Sequence, residues 1–145
     1  FSSKDELMNY LFLNIKQELA TAIQSQASNI GELKLDAEHL WNVAIDWAIA
    51  NPLKQEFFQQ YSMSPSIAVE VRQQAMTGIL SFMGELISHG QKTGVLANYP
   101  LSLMLEGCHG QYLAATRYFL DNPSKWQDVA HKQASFSMFW NAMKA

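Results

Sequence analysis

A few residue pairs in this chain have the types and spacing that could do chemistry. Cys108 and His109 set a thiol beside an imidazole, the ingredients of nucleophilic catalysis. Glu106-x-x-His109 and Asp128-x-x-His131 have the i, i+3 spacing by which helical bundles hold metal, and Glu85-x-x-x-His89 adds another same-face pair. Helical geometry disfavours each of them. Adjacent residues on a helix diverge by roughly 100°, so Cys108 and His109 do not make a nucleophile and its base. Asp128 and His131 fall in the first turns of their helix, whereas a bundle metal site needs further buried carboxylates from other helices. We therefore expect Cys108 to be a small apolar seam residue and the acid–His pairs to be solvated or capping. No catalytic residue, no metal ligand and no cofactor is expected.

The elements that position these residues are marked by the prolines. Asn51-Pro52, Ser64-Pro65 and Asn122-Pro123 each set a capping side chain before a proline suited to the first helical position, and Tyr99-Pro100 keeps the proline without the cap. Ser3-x-x-Glu6 reads as a capping box, and Asp36 precedes another apolar-periodic run. About six helix starts result, and nothing reads as a strand.

The first helix, residues 3–24, carries Leu7, Leu11, Ile15, Leu19 and Ile23 on one side, with Asp5, Asn9, Lys16 and Thr21 elsewhere. A loop through Gly31 leads to helices over 36–50 and 52–61. A fourth helix of about 25 residues, 65–89, is expected to stop at Gly90 and Gly94. The fifth, 100–121, has two seams. Leu101, Leu105, Cys108, Tyr112, Ala115 and Phe119 form one; Leu103, Gly107, Gly110 and Ala114 form the other. The sixth, 123–144, spaces Trp126, Val129, Gln133, Phe136, Trp140 and Met143 by threes and fours, a coiled-coil-like register that suits a bundle between subunits.

Composition narrows the functional classes. The 48% hydrophobic content is enough for one sizeable core, while 16% charged residues is well below the usual ~25%. Such a surplus of apolar surface points to a partner or a cavity. A net charge of −3 with no basic run does not fit direct phosphate-backbone binding. One cysteine makes no internal disulfide, no stretch approaches the roughly 20 apolar residues of a bilayer span, and no signal-peptide pattern opens the chain. A cytoplasmic location is expected. The start at Phe1, without an initiator Met, is read as an excised piece of something longer.

The opening Phe1-Ser2-Ser3-Lys4-Asp5-Glu6-Leu7 resembles the second half of the junction that, in the TetR family of transcriptional regulators, closes the helix-turn-helix domain and begins its linking helix. Leu40-Trp41 through Asn51-Pro52 into Phe57-Phe58, and Gly90 to Gly94 before a proline-started helix, are similar to the layout of that family's regulatory domain. The resemblance implies an all-α, six-helix regulatory domain over residues 1–145. Residues 1–25 would be the linking helix from an absent DNA-reading domain, and the last two helices would form a dimeric four-helix bundle. It implies a homodimer, a small hydrophobic or amphipathic effector, operator DNA touched only through that other domain, and Lys4 near an operator phosphate.

Placed on that frame, Leu103, Gly107, Gly110, Ala114, Phe136 and Trp140 are the expected dimer contacts. Each mid-helix glycine costs about 1 kcal/mol relative to Ala, which close approach of another helix could offset. Met76, Ile79 and Met83 facing Met104, Cys108, Gln111 and Tyr112, with Trp41 and Phe58 at the sides, are the expected ligand-binding residues, methionines being adaptable walls. Arg72 could meet an anionic effector. The competing readings are a helical adaptor with a solid core and a metal-dependent helical-bundle enzyme.

Overall fold

The computed structural model describes residues 2–27 and 31–145, the side chain of Ile79 excepted. Among them are eight α-helices: α1 (Lys4–Ser25), α2 (Leu33–Ala50), α3 (Pro52–Tyr61), α4 (Val69–Gln74), α5 (Ser81–Lys92), α6 (Leu101–Asp121), α7 (Pro123–Trp126) and α8 (Val129–Met143). No strand occurs among them, only one isolated bridge between Leu96 and Lys144.

The core is organised around α2, which packs against α1, α3, α6 and α8. Ile45 and Ala48 are fully buried, and Trp41 stacks on Phe139 of α8 at 4.6 Å while donating from Nε1 to Ser135 Oγ at 3.1 Å. A buried polar cluster joins α3 to α6: Gln55 and Gln59 donate from Nε2 to Thr116 Oγ1 at 3.0 and 2.7 Å, and that hydroxyl donates to the Tyr112 carbonyl. The Tyr112 hydroxyl lies 3.1 Å from both the Ala44 carbonyl and Gln55 Oε1. None of its buried side-chain polar atoms is left without a partner, as burial demands.

The first helix is capped as its sequence predicts, Ser3 Oγ accepting from the Glu6 amide at 3.1 Å, though Glu6 returns its carboxylate to Ser2. Its buried stripe is rotated from the expected one. Met8, Phe12, Ile15, Lys16, Leu19, Ala20 and Ile23 face inward, and Leu7 is exposed. Asp36 does not cap α2 but lies buried within it, the helix starting three residues earlier after Glu32. Asn51 and Asn122 precede N1 prolines, yet their amides donate to Trp47 and Tyr118 carbonyls, closing the preceding helix instead of capping the next.

Of the three long helices expected after residue 64, the fifth is present unbroken as α6, while the fourth and the sixth are broken. Ser64-Pro65 forms a turn closed by Ile67 N–H on the Ser64 carbonyl at 3.1 Å, with proline at the position that turn favours. Asn9 of α1 pins the turn by accepting from the Ala68 amide at 2.9 Å. Residues Ala75–Ile79 then form a π-helical turn, with Leu80 N–H reaching back five residues to Ala75. Asp128 interrupts the last stretch, its carboxylate accepting from the His131 amide to cap α8 separately from α7.

Gly94, at φ +77°, is the stop after α5. Gly90 has a different role: a Cβ there would sit 2.5 Å from Leu96 Cδ1 and 2.7 Å from Leu33 Cδ2. Gly90→Ala is expected to lose about 1–3 kcal/mol in urea denaturation through overpacking, despite Ala's better helix propensity. Unchanged or raised stability would show that this contact is not tight.

Candidate functional site

A pocket of about 110 Å³ opens where α1, α2, the π-turn, α5, α6 and α8 converge. Leu19 and Ile23 of α1 form one wall, and Leu40, Trp41 and Ala44 of α2 form the next. Met76 of the π-turn, with Met83 and Leu86 of α5, closes a third side. Leu105, Cys108, His109 and Tyr112 of α6 and Phe139, Trp140 and Met143 of α8 complete it. The lining is almost wholly apolar.

Lys16 is the exception. It is 1% exposed, lies on the cavity wall, and is the one lysine or arginine among the lining residues described. Its Nζ lies 3.3 Å from His109 Nδ1, 4.5 Å from the centre of the Phe58 ring and 5.6 Å from that of Phe12. Glu106 acts on it through space without forming an ion pair. Burial pulls the ammonium from 10.5 down to about 7, Glu106 opposing the shift. Burial, and secondarily the Lys16 charge, pull the His109 imidazole down to about 3, so it is neutral and accepts at Nδ1 when Lys16 is charged.

The rest of the site is held in its neutral form. Burial pushes the Cys108 thiol up to about 12, and its Sγ lies 3.7 Å from Met143 Sδ. The Tyr112 phenol is likewise raised by burial. Asp128 is engaged with the His131 amide and ring, while Glu85 and His89 are exposed on a shallow groove along α5. Among the described residues no three His, Cys, Asp or Glu side chains converge as a metal site would require.

Trp41, Met76, Met83, Cys108 and Tyr112 are brought together on the cavity wall. Phe58 is not; it is fully buried behind Lys16, between Phe12 and Trp47. Met104 is turned toward the α5–α6 loop, where its Sδ takes a hydrogen bond from Gln91 at 3.0 Å, and Gln111 is half-buried off the cavity. The Ile79 side chain lies outside the described residues. Arg72, on α4, does not line the cavity.

Leu103, Gly107, Gly110 and Ala114 form an exposed stripe on α6, Leu103 at 65%. Phe136 and Trp140 correct the expectation that they face a partner: both are buried within the chain, at 3% and 8%, and Trp140 borders the cavity. They follow the same helical face as Phe139 and Met143, which α2 and α6 cover.

Sequence reasoning set Lys16 on the solvated face and expected His109 in a solvated or capping pair; the structure puts both on the pocket wall, with His109 largely buried. The signal was present in Lys16 lying four residues after Phe12 and three before Leu19, on one stripe. Preference for a chain of leucines spaced by four concealed it.

Linkage gives a pH signature. Between about pH 7 and 10.5 the unfolded chain holds a proton on Lys16 that the folded chain has released. Stability should therefore rise with pH in that window, by at most about 1.4 kcal/mol per pH unit from this one group. For His109 the window is about 3 to 6.5, where stability falls on acidification. Urea titrations at pH 7, 8 and 9 should show the rise in wild type and a flattened one in Lys16→Met; equal slopes would contradict the assignment.

The fold and site define an all-helical domain with an apolar, single-cation cavity in its core. No family model matches the chain. Solved structures do. A TetR family transcription regulator from Shewanella sp. PV-4 is 59% identical over 100% of this chain and 77% of its own, with a TM-score of 0.97. A TetR family transcription regulator from Marinobacter aquaeolei VT8 matches at 14% identity and TM-score 0.81, over 99% of this chain and 74% of its own. A protein of unknown function from Rhodococcus sp. RHA1 has the same fold at 13% identity and TM-score 0.70, over 100% of this chain and 75% of its own. The chain belongs to the TetR family of transcription regulators. Among the described residues no helix is long and apolar enough to cross a membrane.

Proposed function

We propose that residues 1–145 are the effector-binding and homodimerisation domain of this regulator. A small molecule in the cavity would alter the operator affinity of a DNA-reading domain joined to the start of α1. The observation that carries this reading is the pocket itself: packing leaves a space of about 110 Å³ where six elements meet, whereas an adaptor without a ligand would close that space. Because α1 supplies a wall, filling the cavity biases the position of α1, and through it the spacing of two DNA-reading domains across a dimer. A tenfold change in operator affinity needs only about 1.4 kcal/mol of difference in ligand binding between the two positions. Lys4, exposed in the first turn of α1, would reach an operator phosphate.

A second copy of the chain is the proposed occupant of the α6–α8 outer face. A Cβ added to Gly107 or Gly110 meets nothing within 4 Å, so packing inside the chain does not explain two mid-helix glycines. On the same two helices Leu103 of α6 and Val129 and Met138 of α8 are 65–68% exposed. Close approach of a partner's helices accounts for both facts, with Val129 and Met138 taking the place assigned from sequence to Phe136 and Trp140.

Light scattering at micromolar concentration should give about twice 16.4 kDa for the wild type and about 16.4 kDa for Gly110→Trp. A monomeric wild type would remove the assembly on which the proposed coupling depends. Gly107→Ala refines the test: it should raise the stability of the separated subunit by about 1 kcal/mol while weakening the dimer. Tightened dimers would contradict this face as the interface.

A further inference from the structure

We propose that the ligand of this cavity is a small amphipathic carboxylate, its apolar body filling the space and its carboxylate held by Lys16 Nζ. The inference rests on the effector-cavity reading and deepens it by naming the chemical class.

Three observations converge. Lys16 is enclosed, yet among the described residues its polar contact is the His109 ring nitrogen, which leaves an ammonium with three N–H donors largely unsatisfied. A buried unpaired charge is costly by several kcal/mol, and an apolar residue would serve the core better there. The two phenylalanine rings lessen that cost, but neither replaces an anion.

The second observation is location. Lys16 stands on the wall of the cavity, and the surfaces around it are leucine, methionine and tryptophan. An anion entering there would meet one cation among mostly apolar walls, where the attraction is stronger than in water. A cationic ligand would be repelled, and a neutral one would leave the lysine as it is. Charge therefore selects the head group, and the apolar walls select the body.

His109 is the third. It is neutral and accepts from Lys16 at Nδ1, so a carboxylate takes over as the acceptor without having to break an ion pair. The cavity, at about 110 Å³, approaches the ~150 Å³ of an engineered apolar cavity that admits benzene. A body of about six carbons fits this scale, and the flexible Met76 and Met83 can yield to a somewhat longer one.

The test uses straight-chain carboxylates of four to ten carbons and the matching primary alcohols as probes, with affinity measured by calorimetry on the wild-type chain and on Lys16→Met. The wild type should bind the best carboxylate at least tenfold more tightly than its alcohol. In Lys16→Met that ratio should fall to about one, with alcohol binding retained. Equal affinities in the wild type, or a preference that survives in Lys16→Met, would overturn the inference while leaving the effector cavity standing. Failure of every carboxylate and alcohol to bind would overturn both. The wild-type ratio decides the matter even if Lys16→Met does not fold.

Discussion

An ammonium group enclosed by aromatic and aliphatic side chains is the most expensive feature of this core, and it links α1 to α6 through His109. Lys16 keeps its charge only where something offsets lost hydration: His109 Nδ1 in contact, the faces of Phe12 and Phe58 beneath it, and the field of Glu106. Those groups come from three helices. Rotating α1 by one position would carry Lys16 to solvent and Leu7 or Leu11 inward, losing the Phe58 ring and the His109 partner together.

The neighbouring polar cluster of Gln55, Gln59, Thr116 and Tyr112 performs the complementary task. It is closed on itself, with hydroxyls and amides matched, and it fixes α3 and α2 on α6 at a defined register. Beside this rigid side, the far wall of the cavity is built from the π-turn and α5, with methionines at the contact. One wall is locked by hydrogen bonds and the other is lined by adaptable methionines, the contrast on which the proposed effector role rests.

The helical class was legible because the prolines and caps punctuate the chain and the apolar spacing is regular; α3 and α7 begin at the expected prolines. The two broken helices were not, since Ser64-Pro65 satisfies turn and helix-start chemistry equally, and Asn9, which selects the turn, is more than fifty residues away. The sequence set Met76 and Met83 opposite the Cys108–Tyr112 seam of α6, and the structure brings these residues to one pocket wall, because a stripe opposite another stripe must meet it. Phe136 and Trp140 were assigned outward since aromatic size suits an interface as well as a core, and only the position of α2 decides between them. Lys16 was assigned to the solvated face on residue type, where spacing pointed the other way.

The most direct measurement is the titration of Lys16 itself, followed through its ε-carbon by NMR in the wild-type chain with Lys16→Met identifying the signal. A midpoint near 7, well below the ordinary 10.5, is predicted for a lysine enclosed at the cavity wall. A midpoint near 10.5 would place the ammonium in water, and the cavity would lose the one charge that gives it chemical character.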